Sequence, residues 1–158
     1  MQNEKNSTKD REMRLTRTFD APIELVWEVI TQPKHISQWW GPDGFTITIS
    51  EMDVRPGGRW NLVMHGPDGT DYPNKIIYIE VIEYKKLVLE YQTTPKHVTT
   101  VELEAIGTQT LMKWHMTFES EEQLIQLVRD FKVDKGLEQN AEKWNRYLIE
   151  LQTQSAQV

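Results

Sequence analysis

Between Phe45 and Phe118 six stretches alternate apolar and polar residues, and the connections between them are only a few residues long. A period of two gives each stretch, as a strand, one apolar face. Parallel neighbours need crossovers of a dozen or more residues, so connections this short force an antiparallel meander with one face to cover. "FTITISEMDV" opens the series. "GGRWNLVMH" sets Trp60, Leu62 and Met64 on one face, and "KIIYIEVIEY" is expected to set Ile77, Ile79 and Val81 there. "KLVLEYQ" adds Leu87, Leu89 and Tyr91, "VTTVELEAI" adds Val101, Leu103 and Ala105, and "TLMKWHMTF" adds Met112, Trp114, Met116 and Phe118. "GPDG" at 66–69 reads as the turn of a hairpin.

A further strand, "EMRLTRTF", precedes the series and ends near Phe19, and Pro22 suits the first turn of a helix. Within "PIELVWEVI", Leu25, Val26, Val29 and Ile30 recur at helical spacing with Trp27 to one side. Pro33 interrupts that helix and opens a short second one, about residues 33–40, which Gly41 and Pro42 stop. The cover comes last. "SEEQLIQLVRDF" begins with a serine cap and acids in its first turn, and Gly136 reads as a break or a close contact. Beyond it Leu137, Ala141, Trp144, Leu148 and Leu151 form one stripe on a helix of about 18 residues and ~27 Å. The expected fold class is α+β: a curved antiparallel sheet of six to seven strands wrapped on a long C-terminal helix, with two short helices after the first strand. Residues 13–152 read as one domain, 1–12 as a polar tail and 153–158 as a frayed end.

Composition removes several functions. The 158 residues include no cysteine, which excludes disulfides, thiolate metal sites and cysteine nucleophiles. A net charge of -6 opposes binding to a phosphate backbone, so no nucleic-acid partner is expected. No stretch approaches the ~20 apolar residues of a membrane span, and the opening is polar, so a cytoplasmic protein is expected. His35, His65, His97 and His115 show no paired ligand spacing, and the strand after "GGRW" stands where a phosphate cradle would need a helix; neither a metal nor a cofactor is expected. Glu51 and Asp53 share a strand face at about 7 Å. With Tyr91 and His115 they are the candidate acids and bases, but no G-x-S-x-G elbow or other pattern specifies a reaction, and exposed strand acids are the favoured reading of the pair.

In "HISQWWGPDGFT" two indoles stand side by side before a turn. Adjacent helical residues point about 100° apart, so Trp39 and Trp40 cannot fill one pocket. One is expected to staple the short helix to the core and the other, Trp40, to face the entrance of a cavity or solvent. Packing of both rings as anchors at the helix end is nevertheless the favoured reading of the pair.

The order of elements, with "APIELVWEVIT", "QWWGPDGFT", "DVRPGGRWNLVMHGPDG" and "GLEQNAEKWNRYL", resembles the bacterial relatives of the activator of heat-shock protein ninety ATPase over about residues 13–151. These belong to the START-like (SRPBCC, Bet v 1-like) helix-grip superfamily, with polyketide cyclases and lipid-transfer domains. The resemblance implies a bent sheet gripping the last helix around an internal cavity, and it implies neither a catalytic triad nor a metal. The ligand-binding residues would then be Trp40, Trp60, Leu62, Met64, Tyr91, Met112, Trp114, Met116, Trp144 and Leu148, an aromatic and methionine surface that adapts to irregular apolar shapes. The expected function is non-catalytic binding of a small hydrophobic or aromatic molecule, lipid or polyketide-like. A stress-related chaperone co-factor docking a protein near Trp40 is the alternative, and a cyclase- or hydrolase-like enzyme the second. Monomer and homodimer both remain open.

Overall fold

A computed structural model describes residues 9–156. After a 3-10 turn at Lys9–Arg11, strand β1 (Glu12–Phe19) leads into helices α1 (Ile23–Thr31) and α2 (Pro33–Ile36). Six strands follow: β2 (Thr46–Met52), β3 (Arg59–His65), β4 (Asp71–Ile82), β5 (Lys86–Tyr91), β6 (His97–Ile106) and β7 (Gln109–Phe118). Two helices end the described chain, α3 (Glu121–Phe131) and α4 (Val133–Ala156). All seven strands form one antiparallel sheet in the order β1-β7-β6-β5-β4-β3-β2, so the meander runs from β2 to β7 and β1 closes onto β7 with Leu15 opposite Trp114. This is the expected helix-grip architecture, with the curved sheet wrapped on α4.

Burial follows the period-two pattern in most strands. Trp60 and Leu62, Leu87 and Leu89, Val101 and Leu103, and Met112, Trp114 and Phe118 are all buried. Strand β4 departs from it. Ile76 and Tyr78 point inward, while Ile79, expected inside, is exposed. Apolar residues occupy both parities from Ile76 to Ile79, so pairing decides instead: Ile76 lies opposite Trp60, and a bulge between Tyr78 and Glu80 returns Val81 to the core side. Ala105, also expected inside, is exposed near the end of β6.

The helical ends differ from expectation at three points. Helix α2 stops at Ile36, and turns carry the chain to Trp39. The break before the last helix lies at Lys132, whose φ of 52° caps α3 in the left-handed region, and α4 runs through Gly136 for 24 residues. Ordered elements reach into the segments expected as tails: β1 begins at Glu12 behind Arg11, which donates to the Phe118 carbonyl, and α4 continues past residue 153. Residues 1–8, 157 and 158 lie outside the described residues. The serine cap is present, with Ser120 Oγ accepting from the Gln123 N–H at 3.1 Å. Ala141, Trp144 and Leu148 of α4 are fully buried, and Leu137 nearly so, as the stripe required.

Two glycines serve opposite purposes. A Cβ on Gly58 would lie 1.9 Å from the Asp53 carbonyl oxygen, because the chain folds back tightly there: the Asp53 N–H bonds to Arg59 and the Gly58 N–H to Arg55. A Cβ on Gly136 would meet only the Pro42 ring at 3.5 Å, an ordinary contact. Gly58→Ala should therefore destabilise by about 1–3 kcal/mol through overpacking against backbone, whereas Gly136→Ala should stabilise by up to about 1 kcal/mol through helix propensity. Urea unfolding of both variants tests this, and a Gly58→Ala protein as stable as its parent would contradict the turn described at residues 53–59.

Candidate functional site

Five of the six tryptophans meet in one cluster between sheet and helix. The Trp39 ring stacks on Trp144 of α4 at 4.5 Å between centroids, and its indole N–H donates to the Val29 carbonyl at 3.1 Å. Trp40 turns the other way, stacking on Trp114 of β7 at 5.5 Å and meeting Trp60 of β3 edge-on at 5.0 Å. Phe19 and Tyr78 extend the two ends, packing on Trp144 and Trp60. The two rings reach different layers while touching each other edge-on at 5.6 Å; because α2 ends at Ile36, the turn and not a helical offset sets their directions. Trp40 is only 5% exposed, so both indoles are packing anchors, as the favoured reading of the pair had it, and the placing of Trp40 at an entrance or in solvent is corrected. Helix α4 also holds the following loop, with Asn140 Oδ1 accepting from the Gly41 N–H, Gln139 from the Asp43 N–H, and Lys143 donating to the Pro42 carbonyl.

The polar atoms of this interior are unusual. Among the described residues the buried Nε1 of Trp60, Trp114 and Trp144, the Thr99 hydroxyl and His97 Nε2 meet no hydrogen-bond partner. A buried donor without an acceptor costs about 1–3 kcal/mol, and native interiors hold few of them. Thr99 lies two residues before Val101, the residue opposite Trp114, which makes Thr99 and Trp114 diagonal neighbours on one face. His97 begins the same row, stacked between Tyr91 at 3.9 Å and Phe118 at 5.1 Å. Its Nδ1 lies 2.7 Å from the Pro95 carbonyl, which can only accept, so Nδ1 carries the proton and Nε2 is an acceptor. Burial pushes this imidazole down to about 4, against the opposing pull of the Pro95 hydrogen bond. Burial likewise raises the phenols of Tyr78 and Tyr91, keeping both neutral.

Of the ten residues expected to bind a ligand, Trp40, Trp60, Leu62, Met112, Trp114, Trp144 and Leu148 belong to this buried core, and Met64, Tyr91 and Met116 pack against it. Period-two spacing from Val101 and Leu103 already places Thr99 and His97 on their face, a signal left unused. An open groove of about 690 Å³ lies elsewhere, where the start of α1 meets the β4–β5 turn and the β6–β7 hairpin, and none of the ten lines it. Its three lysines and three glutamates balance, so it has no net sign with which to select a charged ligand.

The candidate acids and bases are not brought together. Glu51 accepts from Asn61 at 3.1 Å, and Asp53 pairs with Arg55 at 2.6 Å; the bulge of β2 lies before both, so their shared parity stands, but each carboxylate is engaged by its own partner. His115 stands across from Glu12 Oε1 at 3.1 Å, inside ion-pair range though off the hydrogen-bonding direction. One arrangement escaped the sequence: Thr48 Oγ1, His65 and Asp71 form a hydroxyl–imidazole–carboxylate chain with links of 2.8 and 2.7 Å. It has the connectivity of a hydrolytic triad, but it lies across three strands on an exposed face, where cross-strand polar pairing accounts for it.

Comparison with known proteins agrees with this geometry. The family model described as "Activator of Hsp90 ATPase homolog 1-like protein" matches residues 20–153. The chain belongs to this AHSA1 family. No curated protein matches this AHSA1 member. Solved structures share its fold: a protein from Nitrosomonas europaea (TM-score 0.81, 23% identity, covering 91% of this chain and 97% of the other) and one from Arthrobacter aurescens (0.82, 25%, 91% and 89%). The AHSA1-like protein from Aeromonas hydrophila is more distant (0.68, 18%, 88% and 94%). Family and fold fit a ligand-binding or co-chaperone-like module.

Neutral burial of His97 has a consequence with a definite sign. An unfolded histidine takes a proton below its ordinary value of about 6.5, whereas the native one does so only near 4. Between these values the unfolded chain binds more protons, so the His97 contribution is complete above the upper value and is lost on acidification, by about 3 kcal/mol in all. His97→Phe should flatten the fall in urea midpoint between those two pH values. An unchanged slope would mean that His97 is protonated in the native protein.

Proposed function

We propose that this AHSA1 family member binds a small hydrophobic or aromatic molecule, lipid or polyketide-like, between the sheet and α4, without catalysing a reaction. The observation that carries the reading is the set of unpartnered polar atoms at Trp60, Trp114, Trp144, Thr99 and His97 in an otherwise apolar interior. A ligand group that pairs with them offsets a cost the protein alone bears. The surrounding tryptophan, methionine and leucine side chains supply the apolar contact that a largely buried small molecule needs. The co-chaperone reading loses the feature that motivated it, since the ring of Trp40 is buried and offers no docking patch; the exposed Ile125 and Phe131 of α3 are what that reading retains.

Native mass spectrometry of the protein purified gently from its own host is the direct measurement. The expected result is an additional non-covalent mass of a few hundred daltons, removed on denaturation. A clean apo mass that persists after incubation with a panel of lipids and polyketides would overturn the proposal.

A further inference from the structure

We infer that the interior selects for a neutral ligand whose polar groups are mainly acceptors: an apolar, preferably flat molecule with carbonyl or ether oxygens, in preference to a fatty acid or phospholipid anion. This rests on the binding reading above and narrows it to a chemical class.

The first argument is a donor count. The unpartnered interior atoms comprise three indole N–H groups, which can only donate, one threonine hydroxyl, and one imidazole nitrogen that accepts. Donors prevail. The indoles are connected: Trp114 lies 6.2 Å from Trp144 and 5.5 Å from Trp40, which itself meets Trp60 at 5.0 Å. A ligand that answers them must bring oxygen lone pairs, with at most one hydroxyl or N–H for His97.

The second argument is charge. The buried polar residues among those described are Thr99, Thr110 and Asn140, and no lysine, arginine, aspartate or glutamate joins them. Thr110 donates to the Ala21 carbonyl and Asn140 accepts from Gly41, so both are occupied. His97 stays neutral well below physiological pH. A carboxylate or phosphate carried into this interior would lose its water without meeting a cation, an unfavourable exchange. The buried indole N–H of Trp39 is already bonded to the Val29 carbonyl, which supplies an internal control.

Three β-substituted naphthalenes of nearly one shape separate the terms: the methyl ketone acetylnaphthalene, the hydrocarbon isopropylnaphthalene and the naphthoate anion. Affinities are measured by calorimetry and compared with each neutral probe's partition from water into cyclohexane, a solvent without hydrogen-bonding groups. Relative to that partition, the ketone should bind at least about tenfold more tightly than the hydrocarbon, and naphthoate should be the weakest of the three. Heteronuclear NMR should show the ketone shifting indole N–H resonances of Trp60, Trp114 or Trp144 and sparing that of Trp39. Thr99→Val keeps the shape of the side chain and should lower ketone affinity without changing that of the hydrocarbon. If the hydrocarbon matches the ketone on the partition scale, or naphthoate binds best, the inference falls while interior binding stands. If none of the probes shifts an interior indole and the protein also carries no ligand by native mass spectrometry, the inference and the binding reading fall together.

Discussion

The structure depends on two adjacent rings pointing in different directions. A sheet and a helix packed face to face need something to set the gap between them, and here the dipeptide Trp39-Trp40 does so. One ring stacks on Trp144 in α4 and the other on Trp114 in the sheet. Aromatic pairs in tilted or offset contact contribute about 0.5–1.5 kcal/mol each beyond their buried area, and this cluster holds several that share members. Because the rings belong to one dipeptide, the loop that carries them cannot move relative to one layer without disturbing the other. Asn140, Gln139 and Lys143 reinforce that link by binding the loop backbone directly to α4.

Packing indoles so closely also explains why their N–H groups lack partners. An indole placed by stacking has its N–H direction set by the ring plane, and an apolar interior provides an acceptor only by chance. Trp39 has one because the carbonyl of Val29 lies within reach. The N–H groups of Trp60, Trp114 and Trp144 meet no acceptor in hydrogen-bonding geometry, and the Thr99 hydroxyl, one diagonal from Trp114, is likewise unpaired. The interior thus combines strong dispersion contacts with a small set of unsatisfied donors. Packing supplies the stability, and the unpaired donors are the feature on which the proposed binding rests.

Much of this was legible from the residues. Alternation with short connections sufficed for the antiparallel sheet, and spacings of three and four along Leu137, Ala141, Trp144 and Leu148 identified the face of α4. Where one parity of a strand is not clearly more apolar than the other, the register belongs to the partner strand. That is why Ile76 and Tyr78, not Ile77 and Ile79, are inside. The bulges in β2 and β4 left no signature in composition. The role of Trp40 was half legible: packing of both rings was the favoured reading, but the helical offset assumed for them does not apply past Ile36, and the partners of the second ring, Trp60 and Trp114, lie 20 and 74 residues further along the chain. Gly136, which read as a break or a close contact, sits inside a continuous helix and faces the Pro42 ring.

Two polar constellations compete for functional attention, and burial decides between them. The chain through Thr48, His65 and Asp71 has short, well-formed links, but its side chains already satisfy one another and water reaches them freely. Nothing there is left to be answered by a ligand, and in high dielectric the same bonds are worth little. The interior set is the reverse: three indole N–H donors, a hydroxyl and an imidazole acceptor are each buried and unpaired, so a partner that reaches them gains most of a hydrogen bond instead of exchanging one for another with water. Good geometry among exposed groups marks local strand stability in this protein. The incomplete hydrogen bonding of its buried face is the feature that a ligand of complementary chemistry can complete.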